Sequence, residues 1–175
     1  MNDKALQSFD AQNNGQTVAL DAPLDGAGCT DTIHCSNLHD FKGSFTSVHS
    51  GSEDALDLNN GCENVEMRAD LWGLWGKTGI TIKGGSHGIK VSGMVAGKGI
   101  VELGGWSDQS HDKTTGISLD LKHISGGAIP VRVLLADAPS LANGPYRYLF
   151  PSPSIPLHGF FVWWFMILRR LGFWR

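Results

Sequence analysis

The strongest constraint on this chain is a repeat in its middle. Residues 54–73 lie over residues 78–97 at an offset of 24 without a gap. Leu56/Ile80, Leu58/Ile82, Val65/Ile89, Met67/Val91 and Leu71/Val95 match in apolar character, and Gly61/Gly85 and Gly73/Gly97 are identical. A weaker copy precedes them at Ile33, Cys35, Leu38 and Phe41. A further copy opens at Val101-Glu102-Leu103, is interrupted by an insertion over 107–115, and resumes at Ile117–Leu121 and Ile129–Leu135. A period in the twenties implies stacked units, none of which can bury its apolar side alone.

Each unit reads as two or three short apolar-x-apolar strands set off by Gly, Asn or Ser. Alternate side chains of a strand face opposite sides, so Leu56, Leu58, Ile80 and Ile82 are predicted to point inward and Asp57 and Thr81 outward. A charge at Ile80 is then expected to unfold the body, and one at Thr81 to be tolerated. The leucine-rich frame of other solenoids with this period is missing. Fourteen of the 23 glycines lie between Gly43 and Gly105, where coil corners need tight turns. Over 30–138 the periodicity resembles the right-handed parallel β-helix, the pectin-lyase-like solenoid also found in bacteriophage spike proteins. The resemblance implies an all-β fold: a short, single-stranded right-handed β-helix of about four to five coils at this period, followed by an extended C-terminal apolar tail. A β-sandwich or barrel is the alternative, since glycine-punctuated short strands also build those.

Four regions follow: a cap or arm at 1–28, the solenoid body at 29–138, a linker at 139–159 and an anchor at 160–175. The arm suggests a short helix near Lys4–Phe9 and a strand near Thr17–Leu20. The linker holds five prolines, which favour an extended chain. The repeat core is Leu56, Leu58, Val65, Met67, Leu71, Ile80, Ile82, Ile89, Val91 and Val95. On the outside, the register sets Glu66 beside Lys90, Glu63 beside His87, and Asp57, Thr81 and Glu102 in one column. Open solenoid ends are association-prone, so self-association is expected, and trimers are the habit of the viral β-helices this chain resembles.

Candidate chemistry is sparse. Asp57 and Glu102 are the one carboxylate pair with catalytic promise. Two coil steps set them about 9–10 Å apart, near what an inverting glycosidase needs to admit a water. The bland alternative is a solvated surface column. Of the seven histidines, His34, His39 and His49 form with Asp40 a loose cluster, without the tight spacing of common metal sites; no metal and no cofactor are expected. Cys29, Cys35 and Cys62 are odd in number and lack Cys-x-x-Cys spacing, which suits small buried thiols. Gly84-Gly85-x-x-Gly88 lacks the Lys-Ser/Thr of a phosphate loop and reads as a coil corner. Trp72, Trp75 and Trp106 fall near the ends of units, where they either stack on a sugar or pack an interface.

The tail is the sharpest local feature. Phe160, Phe161, Trp163, Trp164 and Phe165 belong to nine consecutive large apolar residues, 160–168, followed by Arg169, Arg170, Trp174 and Arg175. Nine helical residues span about 13 Å, short of a hydrocarbon core of about 30 Å. Aromatics beside arginines suit a membrane interface, and equally a peptide that docks into a neighbouring protein. The tail holds three arginines and no acid, so residues 1–159 carry 11 − 17 = −6 within a net charge of −3. A pI near 6.1 speaks against nucleic-acid binding through the body. The start Met1-Asn2-Asp3-Lys4-Ala5 leads into polar sequence, so no secretory signal is expected. The expected function is a non-enzymatic structural protein, a bacteriophage-type virion component held by its tail to a membrane or capsid neighbour. The alternatives are a carbohydrate-binding or glycoside-cleaving β-helix and a membrane-attached bacterial scaffold.

Overall fold

The computed structural model describes residues 5–74, 78–97, 99–105, 112–135, 139–141 and 146–149. Within them the chain is a parallel β-solenoid of about five turns. Its strands are β1 (Ala5–Phe9), β2 (Thr17–Ala19), β3 (Leu24–Asp25), β4 (Asp31–Ser36), β5 (Lys42–His49), β6 (Asp54–Asn59), β7 (Glu66–Leu74), β8 (Ile80–Ile82), β9 (Lys90–Gly97), β10 (Val101–Leu103), β11 (Ser118–His123), β12 (Ile129–Val133), β13 (Ser140–Leu141) and β14 (Tyr146–Leu149). Sheet A runs β1-β4-β6-β8-β10-β12-β14 and sheet B runs β13-β11-β9-β7-β5-β2, with β3 also paired to β5. Parallel bridges join His39, Glu63, His87 and Thr115 in a third, one-residue-wide ladder. All the strand pairs are parallel, which removes the antiparallel sandwich or barrel.

The 24-residue repeat is the coil itself. Leu56 pairs with Ile80 and Leu58 with Ile82 in sheet A; Met67 pairs with Val91 and Leu71 with Val95 in sheet B. All ten repeat-core residues are at most 2% exposed and stack in one hydrophobic column. The Phe9 and Phe41 rings, centroids 5.0 Å apart, extend this column toward the N-terminal end. Corners are turned by left-handed residues at equivalent positions: Asp40, Asn64, Gly88 and Gly116 all have positive φ. Asn, Asp and Gly enter that region at least cost. The later coil absorbs the insertion, since Lys90 pairs with Ser118 and Val101 with Val131.

Several expectations need correction. The segment near Lys4–Phe9 is no helix: Ala5–Phe9 is a strand paired to β4, because its alternation lets Phe9 bury against the first coil. The N-terminal arm is thereby an integral coil. Part of the proline-rich linker also belongs to the solenoid, since Ser140–Leu141 pairs with β11 and Tyr146–Leu149 with β12. Terminal strands tolerate flanking prolines because one edge makes no ladder bonds. Thr81 faces outward, yet it is only 3% exposed, as are Asp57 at 4% and Glu102 at 3%. A charge at Thr81 would therefore not be tolerated.

Candidate functional site

The outer face of sheet A is a buried polar layer, not a solvated one. Asp57, Thr81 and Glu102 stand in register as expected, and His34 and Lys83 reach Asp57 from neighbouring coils while Arg132 reaches Glu102. A bulge adds to the layer: the amides of Ala55 and Leu56 both donate to the Gly79 carbonyl, at 2.9 and 3.1 Å. Two successive donors to one acceptor interrupt strand alternation, and the Asp54 carboxyl turns to the same face as Thr81. There the Thr81 hydroxyl donates to Asp54 Oδ1 at 2.9 Å.

The layer's charged centre lies between the first coils. His34 is directly opposite Asp57 in the ladder. Its Nδ1 stands 3.3 Å from Asp57 Oδ2 and 3.5 Å from Asp31 Oδ2. Asn59 Nδ2 donates to Asp57 Oδ2 at 2.7 Å, and Lys83 Nζ lies 3.6 Å from Asp57 Oδ1. The two carboxylates beside the imidazole, Asp31 first and then Asp57, raise the His34 pKa from 6.5 to about 10. Burial, reinforced by the Asp57 charge, raises Asp54 from 3.8 to about 8. At neutral pH His34 is therefore protonated and Asp54 keeps its proton. One imidazole nitrogen and two carboxylate oxygens from Asp31, His34 and Asp57 lie within 4.8 Å of one another. These are the residues equipped to hold a cation.

Glu102, the other candidate acid, is two ladder steps from Asp57 and forms an ion pair with Arg132. His39 and His49 do not join His34. His39 sits on the bridge ladder and accepts no role beside Asp31, while His49 Nδ1 lies 2.9 Å from Asp25 Oδ1. Glu63 does meet His87, at 3.0 Å, and Glu66 pairs with Lys90 in register but approaches Lys42 Nζ at 3.3 Å. Gly84 and Gly85, both with positive φ, form a corner whose amides each donate to the Asp112 carboxylate at 3.0 Å. Cys35 and Cys62 are buried free thiols, and Cys29 is a half-buried one. Trp72 is 50% exposed; Trp75, Trp106 and every anchor residue from Phe160 to Arg175 lie outside the described residues. Among the described residues no helix is long and apolar enough to cross a membrane.

Sequence reasoning missed Asp31, Asp54, Lys83 and Arg132. One signal was available: carrying the repeat one coil back at an offset of 23, which aligns Ile33 with Leu56, also sets Asp31 on Asp54 and His34 on Asp57. Compared with protein-family models, curated proteins and solved structures, the chain matches none.

Proposed function

We propose that this chain is a non-enzymatic structural protein, a self-associating β-solenoid body held by residues 160–175 to a membrane surface or a neighbouring protein, in the manner of a bacteriophage virion component. The observation that carries this reading is the state of the two candidate acids. Asp57 is engaged by His34, Lys83 and Asn59, and Glu102 by Arg132. Both are nearly fully buried, which leaves little access for a sugar ring and a water between them. Carboxylates tied this way serve coil-to-coil cohesion better than turnover.

Self-association is supported by an exposed apolar strip on sheet B. Val48, Trp72, Met94 and Ile124 are 38%, 50%, 37% and 42% exposed, at the C-terminal ends of the sheet B strands; Met94 stands in register with Lys122, and the columns beyond carry Arg68 and then Lys42, Glu66 and Lys90. Aromatic and Met side chains rimmed by charge are typical of protein interfaces. Attachment through the tail is supported by its composition, nine apolar residues and then arginines. The test is vesicle flotation of the full chain against a chain ending at residue 159, with circular dichroism to establish that both keep the β signal. The full chain is expected to float with anionic vesicles and the shortened one to remain below. Equal flotation of both would remove the anchor. Hydrolysis of a polysaccharide that Asp57→Asn abolishes would overturn the structural reading altogether.

A further inference from the structure

We propose that Asp31, His34 and Asp57 form a binding site for a first-row divalent transition cation, with zinc the best fit, which clamps the coil containing β4 to the coil containing β6. The inference goes beyond the structural reading above and rests on different observations. The first is spacing. The His34 Nδ1 contacts of 3.3 and 3.5 Å are both longer than the ~2.9–3.0 Å at which N–H···O bonds cluster, as expected when one ring N–H is shared between two carboxylates. Zinc–nitrogen and zinc–oxygen bonds of about 2.0–2.1 Å in a tetrahedron put neighbouring donor atoms about 3.3–3.4 Å apart. The two separations from His34 Nδ1 lie at about that edge length, and all three donor atoms lie within 4.8 Å of one another.

The second observation is independent of the cluster's composition. Asp31 Oδ1, Asp57 Oδ1 and Asn59 Oδ1 are buried and have no hydrogen-bond partner, and their residues are only 4%, 4% and 9% exposed. Buried acceptors without a donor are costly and rare. Three within one layer, all acceptors and none of them donors, point to a missing positive charge. Lys83 Nζ, at 3.6 Å from Asp57 Oδ1, is beyond hydrogen-bond reach.

The surroundings fit a cation in other respects. The Asn59 amide already orients the Asp57 carboxylate, the kind of outer contact that fixes a metal ligand. The His34 side chain is 27% exposed, so the site has a mouth. Two carboxylates offset the charge of a divalent ion, and the ion displaces the proton from His34 Nδ1 as it binds, releasing it to solvent. One imidazole with two carboxylates favours zinc over manganese by the usual order of affinities. Calcium, which needs six to eight oxygens, is disfavoured by so few ligands. A short solenoid gains from such a staple because an ion bound only by the folded state stabilises it by mass action.

The test uses the full chain, stripped with a chelator and dialysed, and titrated calorimetrically with ZnCl2, MnCl2 and CaCl2. One zinc per chain is expected, with manganese weaker and calcium silent. Asp31→Asn, His34→Gln and Asp57→Asn are each expected to weaken zinc binding about a hundredfold or more, beyond the 10–100-fold typical of outer contacts. Glu63→Gln/His87→Gln, an exposed pair elsewhere on the solenoid, should leave it unchanged. In case the ligand variants fold poorly, Co2+ added to the unmodified chain provides a second readout, the intense visible absorption of tetrahedral cobalt. Absence of zinc binding to the stripped chain, undiminished binding by a folded His34→Gln, binding lost equally in the Glu63/His87 variant, or only the faint colour of octahedral cobalt would each overturn the proposal.

Discussion

Ile80→Ala tests the coil stacking with a magnitude that can be worked out. Ile80 is fully buried and paired on one side with Leu56 and on the other with Val101, so its side chain lies in the middle of the inner column. Truncation removes three carbon groups at about 0.8 kcal/mol each, about 2.4 kcal/mol of transfer energy. The neighbours are fixed by ladders on both sides and cannot collapse fully, so a cavity contribution of about 1 kcal/mol follows, within the 2–5 kcal/mol range for such changes. The sum, about 3–3.5 kcal/mol, lowers Tm by roughly 6–14 °C for a domain of this size. Urea and thermal unfolding followed by circular dichroism measure it. The companion change, Thr81→Val, keeps the shape and removes the hydroxyl that donates to Asp54, costing about 1–3 kcal/mol through the orphaned carboxyl. A loss below about 1 kcal/mol for Ile80→Ala would refute the reasoning, because no fully buried isoleucine in a rigid column is that cheap to truncate.

Other outcomes follow from the same architecture. Gly93 lies mid-strand in β9 at φ +135°, and a Cβ there would stand 2.1 Å from the Ala69 carbonyl oxygen; Gly93→Ala should therefore push the β7 and β9 ladders apart and prevent a cooperative thermal transition, and a normal transition would contradict the register. In metal-free protein the folded state holds its protons more tightly than the unfolded chain at Asp54 (about 8 against 3.8) and at His34 (about 10 against 6.5). Stability should then fall as pH rises from about 4 to 10, most steeply between 6.5 and 8, where each group contributes at most about 1.4 kcal/mol per pH unit. Chemical denaturation across that range reads it, and a rise in stability between pH 6.5 and 8 would be the wrong sign. Asp112→Ala should cost about 1–3 kcal/mol by removing the carboxylate that accepts from the Gly84 amide and that shares the Gly85 amide with Thr114 Oγ1, visible as a lower denaturation midpoint; no change would contradict a role for this carboxylate in holding the corner.

The inner column could be read in the sequence because apolar-x-apolar triplets such as Leu56-Asp57-Leu58 and Ile80-Thr81-Ile82 recur at one spacing, and alternation leaves a strand little choice of face. Corners were legible for a similar reason, since Asn64 and Gly88 sit where the backbone must turn left-handed. The outer face was not. Whether Asp57 is solvated depends on what stands one coil away, and His34 and Lys83 are brought there by register, not by any local pattern. The end coils were obscured by short strands and flanking prolines, which weaken the period in Ala5–Phe9 and Tyr146–Leu149. The bulge at Ala55 and Leu56 was invisible for a further reason: it is a matter of backbone bonding to the next coil and leaves no mark on residue type.

The buried column and the cation clamp both require consecutive coils to stack in parallel and in register, at an offset of 24 between β7 and β9, and a disulfide measures that directly. Glu66 and Lys90 are exposed register partners on sheet B, and adjacent strands set their Cα atoms about 4.8 Å apart, inside the 4.4–6.8 Å range that a disulfide spans. The Glu66→Cys/Lys90→Cys chain should therefore lose both new thiols on mild oxidation as an intramolecular bond, read by mass spectrometry of the digested monomer. Glu66→Cys/Ser92→Cys, offset by one pleat along the strand, should not close. Closure of the offset pair in preference to the aligned one would contradict the register and, with it, the solenoid as described.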